Sequence, residues 1–499
     1  MPTRMTELRL IIIVVSIILT VQFVSVKCTN NTTAEDDRSH VQDCMNSSVS
    51  DFPDDLFDFK ERKNGAIIVH FFLALYCFTI IAVVCNDYFL PSVDCICTEL
   101  NLTQDVAGAT FMAVATSSPE LFVNIIGTFI TESDLGVGTV VGSAVFNTLG
   151  VAACIGLAAS KTIILEWWPL TRDCSLYIVT IGVLTAVTLD EKVEWYEALI
   201  LFLMYITYFL IMWGNGHLMK LAKKIEVKII GSKTVLNDPE SSTSEVYSNV
   251  GPGIYRWYLH GDFTVSNKMT SDDTEKSPKK GTGRLMCPPV GGLLDKVWNI
   301  FLWPISLLVF ISIPDCRKNH FRHLYPLTFI MCIVWIATAS YLNAWMMTII
   351  GNTLGVPDSV MGLTMLAAGG SLPEAFSSII MARKGVGAMG ISSSVGANTL
   401  NILLCLGTPW FIKCIVQIIQ TGNTNSSAVN IISEGVTYNC FALLSSVLLL
   451  YVVIAVFKFH LGKLLGFTCL VTYFIFITVS VLIEMNVFFY VNRPLCAEI

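Results

Sequence analysis

Two glutamates lie inside apolar segments, and each follows a run of small residues that ends in Ser-X-Pro. Glu120 closes the sequence Ala-Thr-Ser-Ser-Pro-Glu, and Glu374 closes Gly-Gly-Ser-Leu-Pro-Glu. A second motif follows each glutamate at the same distance, Gly-Ser-Ala-Val-Phe-Asn over 142–147 and Gly-Ala-Asn-Thr-Leu-Asn over 396–401. A duplicated, proline-interrupted hydrophobic segment with one acid per copy indicates the ion site of a membrane transporter.

The residue types in both copies are the ligands of a hard cation. A carboxylate at membrane depth costs at least ~2.5 kcal/mol, which makes a functional role the default hypothesis. Pro119 and Pro373 each remove a backbone donor and free a carbonyl one turn earlier. The resulting set of carboxylate, hydroxyl and carbonyl oxygens suits calcium or sodium, whereas zinc and copper prefer thiolates and imidazoles that the motifs lack. The second motif of each copy adds the oxygens of Ser143, Asn147, Asn398 and Asn401.

The composition places the chain in a lipid bilayer. Its 499 residues are 54% hydrophobic and only 14% charged, whereas soluble domains carry about a quarter charged residues. The net charge of −7 is spread over loops and termini without a basic block, which excludes a nucleic-acid partner. Because the sequence contains no readable nucleotide-binding loop or catalytic triad, we expect neither an enzyme nor a bound cofactor.

The hydrophobic segments predict an all-α polytopic membrane protein with ten transmembrane helices, each close to the length that crosses a bilayer. We expect two inverted five-helix repeats, 65–214 and 325–486, with discontinuous or kinked helices at the ion site. The ion-binding segments of the repeats cover about 105–159 and 358–414. A cytosolic, largely disordered loop is predicted at 215–297. The ten predicted spans are 66–86, 105–131, 135–159, 174–191, 194–214, 326–350, 358–382, 387–414, 437–457 and 464–486.

The orientation depends on residues 298–324, which include a short apolar segment interrupted by Pro304. If this segment crossed the membrane, the two glutamate helices would run parallel. If it lies on the cytosolic surface or re-enters, the repeats become antiparallel, and basic residues such as Arg172 and Lys384 fall inside, as the positive-inside rule requires. We therefore predict an interfacial or re-entrant segment here.

The two ends of the mature chain are predicted to lie outside. Residues 1–27 resemble a secretory signal peptide, with an uncleaved anchor as the alternative. Residues 28–64 form a predicted extracytoplasmic, glycosylated segment, and 487–499 form an extracytoplasmic tail. The segment contains three sequons, at Asn30, Asn31 and Asn46.

The duplicated motifs resemble the two alpha repeats of the potassium-dependent sodium/calcium exchangers, within the cation/calcium exchanger superfamily. The similarity covers nearly all of the membrane part, and the sequence Leu-Gly-Thr-Pro-Trp-Phe-Ile-Lys over 406–413 looks most like the short branch of the family. The resemblance implies calcium antiport driven by sodium, with Glu120 and Glu374 as central ligands. It further implies that the ion sites are completed by Thr116, Ser117, Ser143, Asn147 and Ser371.

The second repeat departs from the family pattern at three positions. Gly370 replaces a threonine, Ala397 replaces a serine, and Asn401 replaces the aspartate that the family associates with potassium. We therefore expect potassium co-transport to be weak or absent. The alternative to an antiporter is a non-transporting or altered-selectivity paralogue that acts as a sensor or regulator. The resemblance leaves open whether the chain forms a homodimer, and whether it resides in the plasma membrane or in an organelle of the secretory pathway.

The predicted topology can be tested by glycan mapping. Asn46 and Asn425 should carry glycans, and a tag inserted within 240–280 should be cytosolic. Asn101 also has a sequon, Asn-Leu-Thr, but should stay bare because it lies in the predicted inner loop between the first two spans. Gel shifts of single Asn→Gln variants after deglycosylation, with antibody access to the tag in intact cells, measure both. A glycan on Asn101, or a tag reached from outside, would contradict the ten-span arrangement.

Overall fold

A computed structural model describes residues 48–100, 113–158, 162–165, 167–213, 293–317, 322–383, 387–422, 428–488 and 490–492. The predicted signal segment, the sequons and nearly all of the central loop lie outside these ranges, so the predictions made for them stand as predictions. The described residues form two compact units. The first contains those of 48–78, 117–213 and 340–492, and the second those of 79–116 and 293–339.

Every predicted span contains a helix, and the all-helical membrane fold is confirmed. Among the described residues, eight helices are long and apolar enough to cross a bilayer. The two predicted spans that do not qualify, 105–131 and 358–382, are the two that carry the glutamates. The principal helices are Ile67–Val84, Leu90–Glu99, Ala113–Thr116, Ser118–Phe129, Leu135–Val145, Val151–Ala158, Trp167–Thr188, Trp195–Trp213, Leu293–Ser312, Tyr325–Leu354, Asp358–Met361, Ala367–Arg383, Gly387–Leu400, Gly407–Thr421, Gly435–Val456 and Lys463–Glu484.

Several helical irregularities lie near the duplicated motifs. In the first repeat the helix breaks at Ser117 (φ −88°, ψ 2°), and Ser118–Phe129 restarts with Pro119 in its first turn. In the second repeat the helix runs through Pro373 without a break, and the irregularity is a wide π-type turn at Gly362–Leu366. Two further wide turns, Phe146–Gly150 and Asn401–Leu406, contain the last residue of each second motif. Wide turns of this type occur frequently at functional sites.

The first part of the segment at 298–324 belongs to the helix Leu293–Ser312, which contains Pro304. Its end packs on the helix Tyr325–Leu354, because Trp335 Nε1 donates to Ser312 Oγ at 2.9 Å and Thr328 Oγ1 donates to the Pro314 carbonyl at 2.8 Å. Its apolar part, 300–312, is shorter than a membrane span. The interfacial or re-entrant placement of this segment stays a prediction.

Two short strand pairs join the repeats reciprocally. Ile163–Ile164 of the first repeat pairs with His460–Leu461, which connects the last two helices of the second. Ala428–Asn430 of the second repeat pairs with Lys192–Glu194, which connects the last two helices of the first. The 22-residue helix Trp167–Thr188 separates the two pairs by about 33 Å, roughly the thickness of the hydrocarbon core. Such exchanged pairing is what a two-fold relation between the repeats produces.

Glycines bring the second-motif helix of the first repeat directly against the backbone of the second repeat. A Cβ atom added at Gly138 would lie 2.5 Å from the Ser359 carbonyl oxygen, and one at Gly142 would meet the Leu363 carbonyl. The same contact recurs from the other side, where a Cβ at Gly362 would meet the Leu135 carbonyl. Small residues permit this close approach of membrane helices, and here they fix the helix after Glu120 to the segment that leads to Glu374.

Two buried carboxylates anchor the helix ends that adjoin this contact. Asp134, which precedes Leu135–Val145, accepts hydrogen bonds from the backbone amides of Ile432 and Ser433. Burial raises the pKa of the Asp134 carboxyl to about 7, and the two amide donors oppose that rise. Glu484, the last residue of its helix, accepts hydrogen bonds from four side chains, those of Ser359, Ser433, Asn439 and Asn492.

The glycine contact generates a stability prediction. Gly142→Ala should lower the unfolding temperature of the purified protein, because overpacking a tight contact costs about 1–3 kcal/mol. Gly182→Ala is the matched control, since a Cβ there meets nothing within 4 Å and alanine favours a helix interior over glycine. Thermal unfolding in detergent measures both. Equal unfolding temperatures for Gly142→Ala and the parent would show that the repeats do not depend on this contact.

Candidate functional site

The structure brings the two glutamates together in the first unit. Glu120 is 2% exposed and Glu374 is partly buried. The two carboxylates are close enough to repel each other. Gly370 lies between the repeats, since a Cβ atom added there would be 3.6 Å from Glu120 Oε1. The first-repeat carboxylate therefore faces the backbone immediately before the second-repeat acid.

The hydroxyl groups predicted as ligands are buried, and two of them lie close to these acids in sequence. Ser117 stands at the helix break, and Ser371 lies one turn before Glu374; both are at most 1% exposed. Within the described part of the chain, Ser117 Oγ, Ser371 Oγ and Glu120 Oε2 have no hydrogen-bond partner. Ser143 is also fully buried, and its hydroxyl donates to the Val140 carbonyl at 3.1 Å, which leaves its lone pairs available. Buried polar atoms without partners are costly unless something else satisfies them.

The asparagine of the first repeat's second motif faces the acid of the other repeat. Asn147 lies against the Glu374 carboxylate and is 1% exposed. Its backbone is held by Ser394 Oγ, which donates to the Asn147 carbonyl at 2.8 Å. The main chain at Asn147 is therefore fixed across the repeats, while its side chain faces the Glu374 carboxylate.

The two asparagines of the second repeat differ in their use. Asn398 donates its Nδ2 to the Ala144 carbonyl at 3.0 Å and to Thr148 Oγ1 at 2.9 Å, so its amide nitrogen binds the two repeats together. Its Oδ1 is buried and has no partner in the described ranges. Asn401 is fully buried, and neither polar atom of its side chain has a hydrogen-bond partner in the described ranges. Asn398 thus offers one oriented oxygen, and Asn401 offers a complete amide.

The wide turn that begins at Asn401 lies alongside the Glu120 helix. Residues 401–406 pack against Ser118–Phe129. Cys405 approaches the Ser117 carbonyl through its Sγ atom at 3.5 Å, and its thiol also lies near the Glu120 carboxylate. This cross-repeat contact brings the Asn401 segment to the first acid. Thr116, the remaining predicted ligand, ends the helix Ala113–Thr116 in the other unit.

Several residues that support this site were not singled out from the sequence. Thr148 and Ser394 fix the second motifs to each other, and Cys405 lines the approach to Glu120. Asn124 Nδ2 donates to the Glu120 carbonyl at 3.0 Å. These contacts join distant parts of the chain or reuse common residue types, so no local sequence signal identifies them.

The described residues contain no group of three or more His, Cys, Asp or Glu side chains arranged to hold a metal ion. The site therefore combines two formal negative charges with neutral hydroxyl and amide oxygens. Hard cations such as calcium and sodium take oxygen ligands of this kind. The arrangement is suited to reversible binding of a cation, and the ligand roles of the individual residues stay predictions.

Comparison with known proteins agrees with this geometry. Residues 70–214 and 324–482, more than half of the chain, match the family described as "Sodium/calcium exchanger protein". Mouse sodium/potassium/calcium exchanger 4 is 33% identical over 92% of this chain and 88% of its own length. Human sodium/potassium/calcium exchanger 5 is 37% identical over 89% of each chain. The solved exchanger NCX_Mj covers 83% of this chain and 99% of its own at 16% identity, but its TM-score of 0.41 is too low to support a conclusion. The family match and the curated relatives show that the chain belongs to the sodium/calcium exchanger family.

Proposed function

We propose that the chain is a secondary active cation antiporter that exchanges calcium for sodium across a membrane. The observation that carries the proposal is the meeting of Glu120 and Glu374 among buried oxygens that lack partners in the described ranges. The relatives named above are sodium/potassium/calcium exchangers, which supports calcium and sodium as the transported substrates. The family consists of transporters, and nothing in the site favours catalysis.

The charge of the site explains why transport would be coupled. When no cation is bound, two adjacent carboxylates are buried and repel each other, and each uncompensated buried charge costs several kcal/mol. One calcium ion neutralises both carboxylates, and sodium ions do so in pairs. Such a site can switch between the two sides of the membrane at low cost only when its charge is balanced. It therefore exchanges one cation for the other and does not let either cation cross alone. Alternating access in inverted-repeat transporters moves one part of the fold around such a fixed central site.

Asn401 bears on potassium. Its side-chain amide is neutral and fully buried, so the described site carries two carboxylates. Calcium already matches that charge, and an added potassium ion would leave one positive charge unbalanced in a low-dielectric region. We therefore propose exchange with weak or absent potassium dependence, although the relatives named above have potassium in their names.

A non-transporting sensor or regulator is the second candidate. The second repeat has fewer oxygen ligands than the family pattern, which favours this candidate. In particular, Gly370 faces Glu120 but has no side chain to offer a ligand. Calcium-45 uptake into vesicles that contain the purified protein separates the two candidates. Uptake that requires an outward sodium gradient supports the antiporter, whereas calcium binding without uptake supports the sensor.

The two acids generate the first functional prediction. Glu120→Gln and Glu374→Gln should each abolish calcium transport, because each removes one of the two charges that balance the ion. Glu191→Gln, at an exposed position on a connecting turn, is the matched control and should transport normally. Calcium-45 uptake normalised to the amount of folded protein measures all three. Full transport by either site variant would remove that glutamate from the ion site.

Asn401 generates the second functional prediction. Asn401→Asp adds a third carboxylate, so that a calcium and a potassium ion together balance the site, and potassium should then stimulate uptake. Asn423→Asp, in a predicted external loop, changes the net charge equally and should have no such effect. Uptake is measured at several potassium concentrations and fixed ionic strength. This interpretation of position 401 is wrong if the parent needs millimolar potassium and Asn401→Asp changes nothing.

A further inference from the structure

A cavity of about 210 Å³ lies at the far end of the Glu120 helix. Its lining residues include Asn124, Glu132, Asp134, Trp410, Lys413 and Gln417. Asn124 is one helical turn from Glu120 and donates to its carbonyl at 3.0 Å. The cavity therefore adjoins the helix that carries the first acid of the ion site, on the face that the predicted topology places outside.

The cavity offers several oxygens to a cation. The helix Ser118–Phe129 ends there, and carbonyl oxygens at a helix C-terminus carry a partial negative charge. The Glu132 carboxylate lies beside that end on a residue with a left-handed backbone conformation, φ 44°. Asp134 also lines the cavity, but it already accepts two backbone amides. Glu132 and the helix end are thus the part of the cavity that most needs a positive charge.

A lysine meets that need. Lys413 Nζ donates to the Thr128 carbonyl at 2.7 Å and to Glu132 Oε1 at 2.9 Å. The Lys413 side chain is 12% exposed, whereas Glu132 is 71% exposed. The neighbouring carbonyls are used within the chain, because Gly127 accepts from the Ser133 amide and Ile126 accepts from the amide of Ile130. The ammonium group therefore occupies the position between carboxylate and carbonyl that a free cation would otherwise take.

We propose that Lys413 is a tethered cation that prevents a divalent metal ion such as calcium from binding in this cavity. The inference rests on the proposed function for its purpose, because a conduction path needs sites weak enough for ions to leave. A calcium ion held at Glu132 and the Thr128 carbonyl, at the end of the Glu120 helix, would repel each ion that follows it. Lys413 is thus a specificity-determining residue, since it supplies one fixed positive charge where the local oxygens favour a second cation site.

The test measures metal binding directly and does not need transport. The full chain carries Glu120→Gln and Glu374→Gln to remove the central acids, and terbium(III), an oxygen-binding stand-in for calcium, is added in a titration. Trp410 lines the cavity, so terbium bound there gains luminescence when tryptophan is excited. Adding Lys413→Met should raise the apparent terbium affinity about tenfold, because it removes the ammonium group that occupies the Glu132 carboxylate and the Thr128 carbonyl. Lys413→Gln, which keeps a polar side chain, should act in the same direction.

Four control variants make the result specific. Lys413→Arg keeps the charge and should leave terbium affinity unchanged, as should Lys192→Met at an exposed lysine outside the cavity. Adding Glu132→Gln or Trp410→Phe to Lys413→Met should remove the new signal. Unchanged terbium affinity in both folded variants, Lys413→Met and Lys413→Gln, would overturn the proposal. So would a new signal that survives Glu132→Gln and Trp410→Phe. Absence of calcium transport in the parent would instead count against the antiporter alone.

Discussion

Two carboxylates that repel each other inside a membrane protein impose the constraint on which this structure depends. Glu120 and Glu374 come from segments 254 positions apart in sequence, and each would be costly at membrane depth without a counter-charge. Around them the chain places buried hydroxyl and amide groups whose polar atoms have no partner within the described ranges. We propose that a cation completes this arrangement, so that binding and charge compensation are one event. The exchange proposed above follows from that need.

The surrounding packing serves to hold the two halves of the site at a fixed distance. Gly138 and Gly142 bring the first-repeat helix onto the backbone of the second repeat, and Asn398 donates back across the same boundary. Ser394 holds the main chain at Asn147 in the same way. Because these contacts are short and lie close together, the two repeats cannot move apart locally without losing several of them at once. Rigid positioning of this kind would keep the oxygens of both repeats within reach of the proposed ion.

Much of this could be predicted from the sequence because its causes are local. Hydrophobic length predicted the spans, and each predicted span contains a helix. The repeated Ser-X-Pro-Glu pattern predicted which acids would pair. The sequence did not reveal that Gly370 faces Glu120 or that Asn398 Nδ2 donates to the first repeat. It also did not reveal that Lys413 donates to a carbonyl at the end of the Glu120 helix. These contacts depend on helix packing between distant segments. The strand pairs were also missed, because strands of two or three residues carry no periodic signal.

We propose that the paired glutamates bind calcium and sodium in alternation and thereby couple the movements of the two ions. The most direct measurement uses the purified parent protein in sealed vesicles, with calcium-45 outside and sodium inside at equal ionic strength. We expect calcium to accumulate above its equilibrium level, and we expect this accumulation to collapse when an ionophore abolishes the sodium gradient. Uptake that is the same with and without the gradient, or no uptake by folded protein, would contradict this proposal.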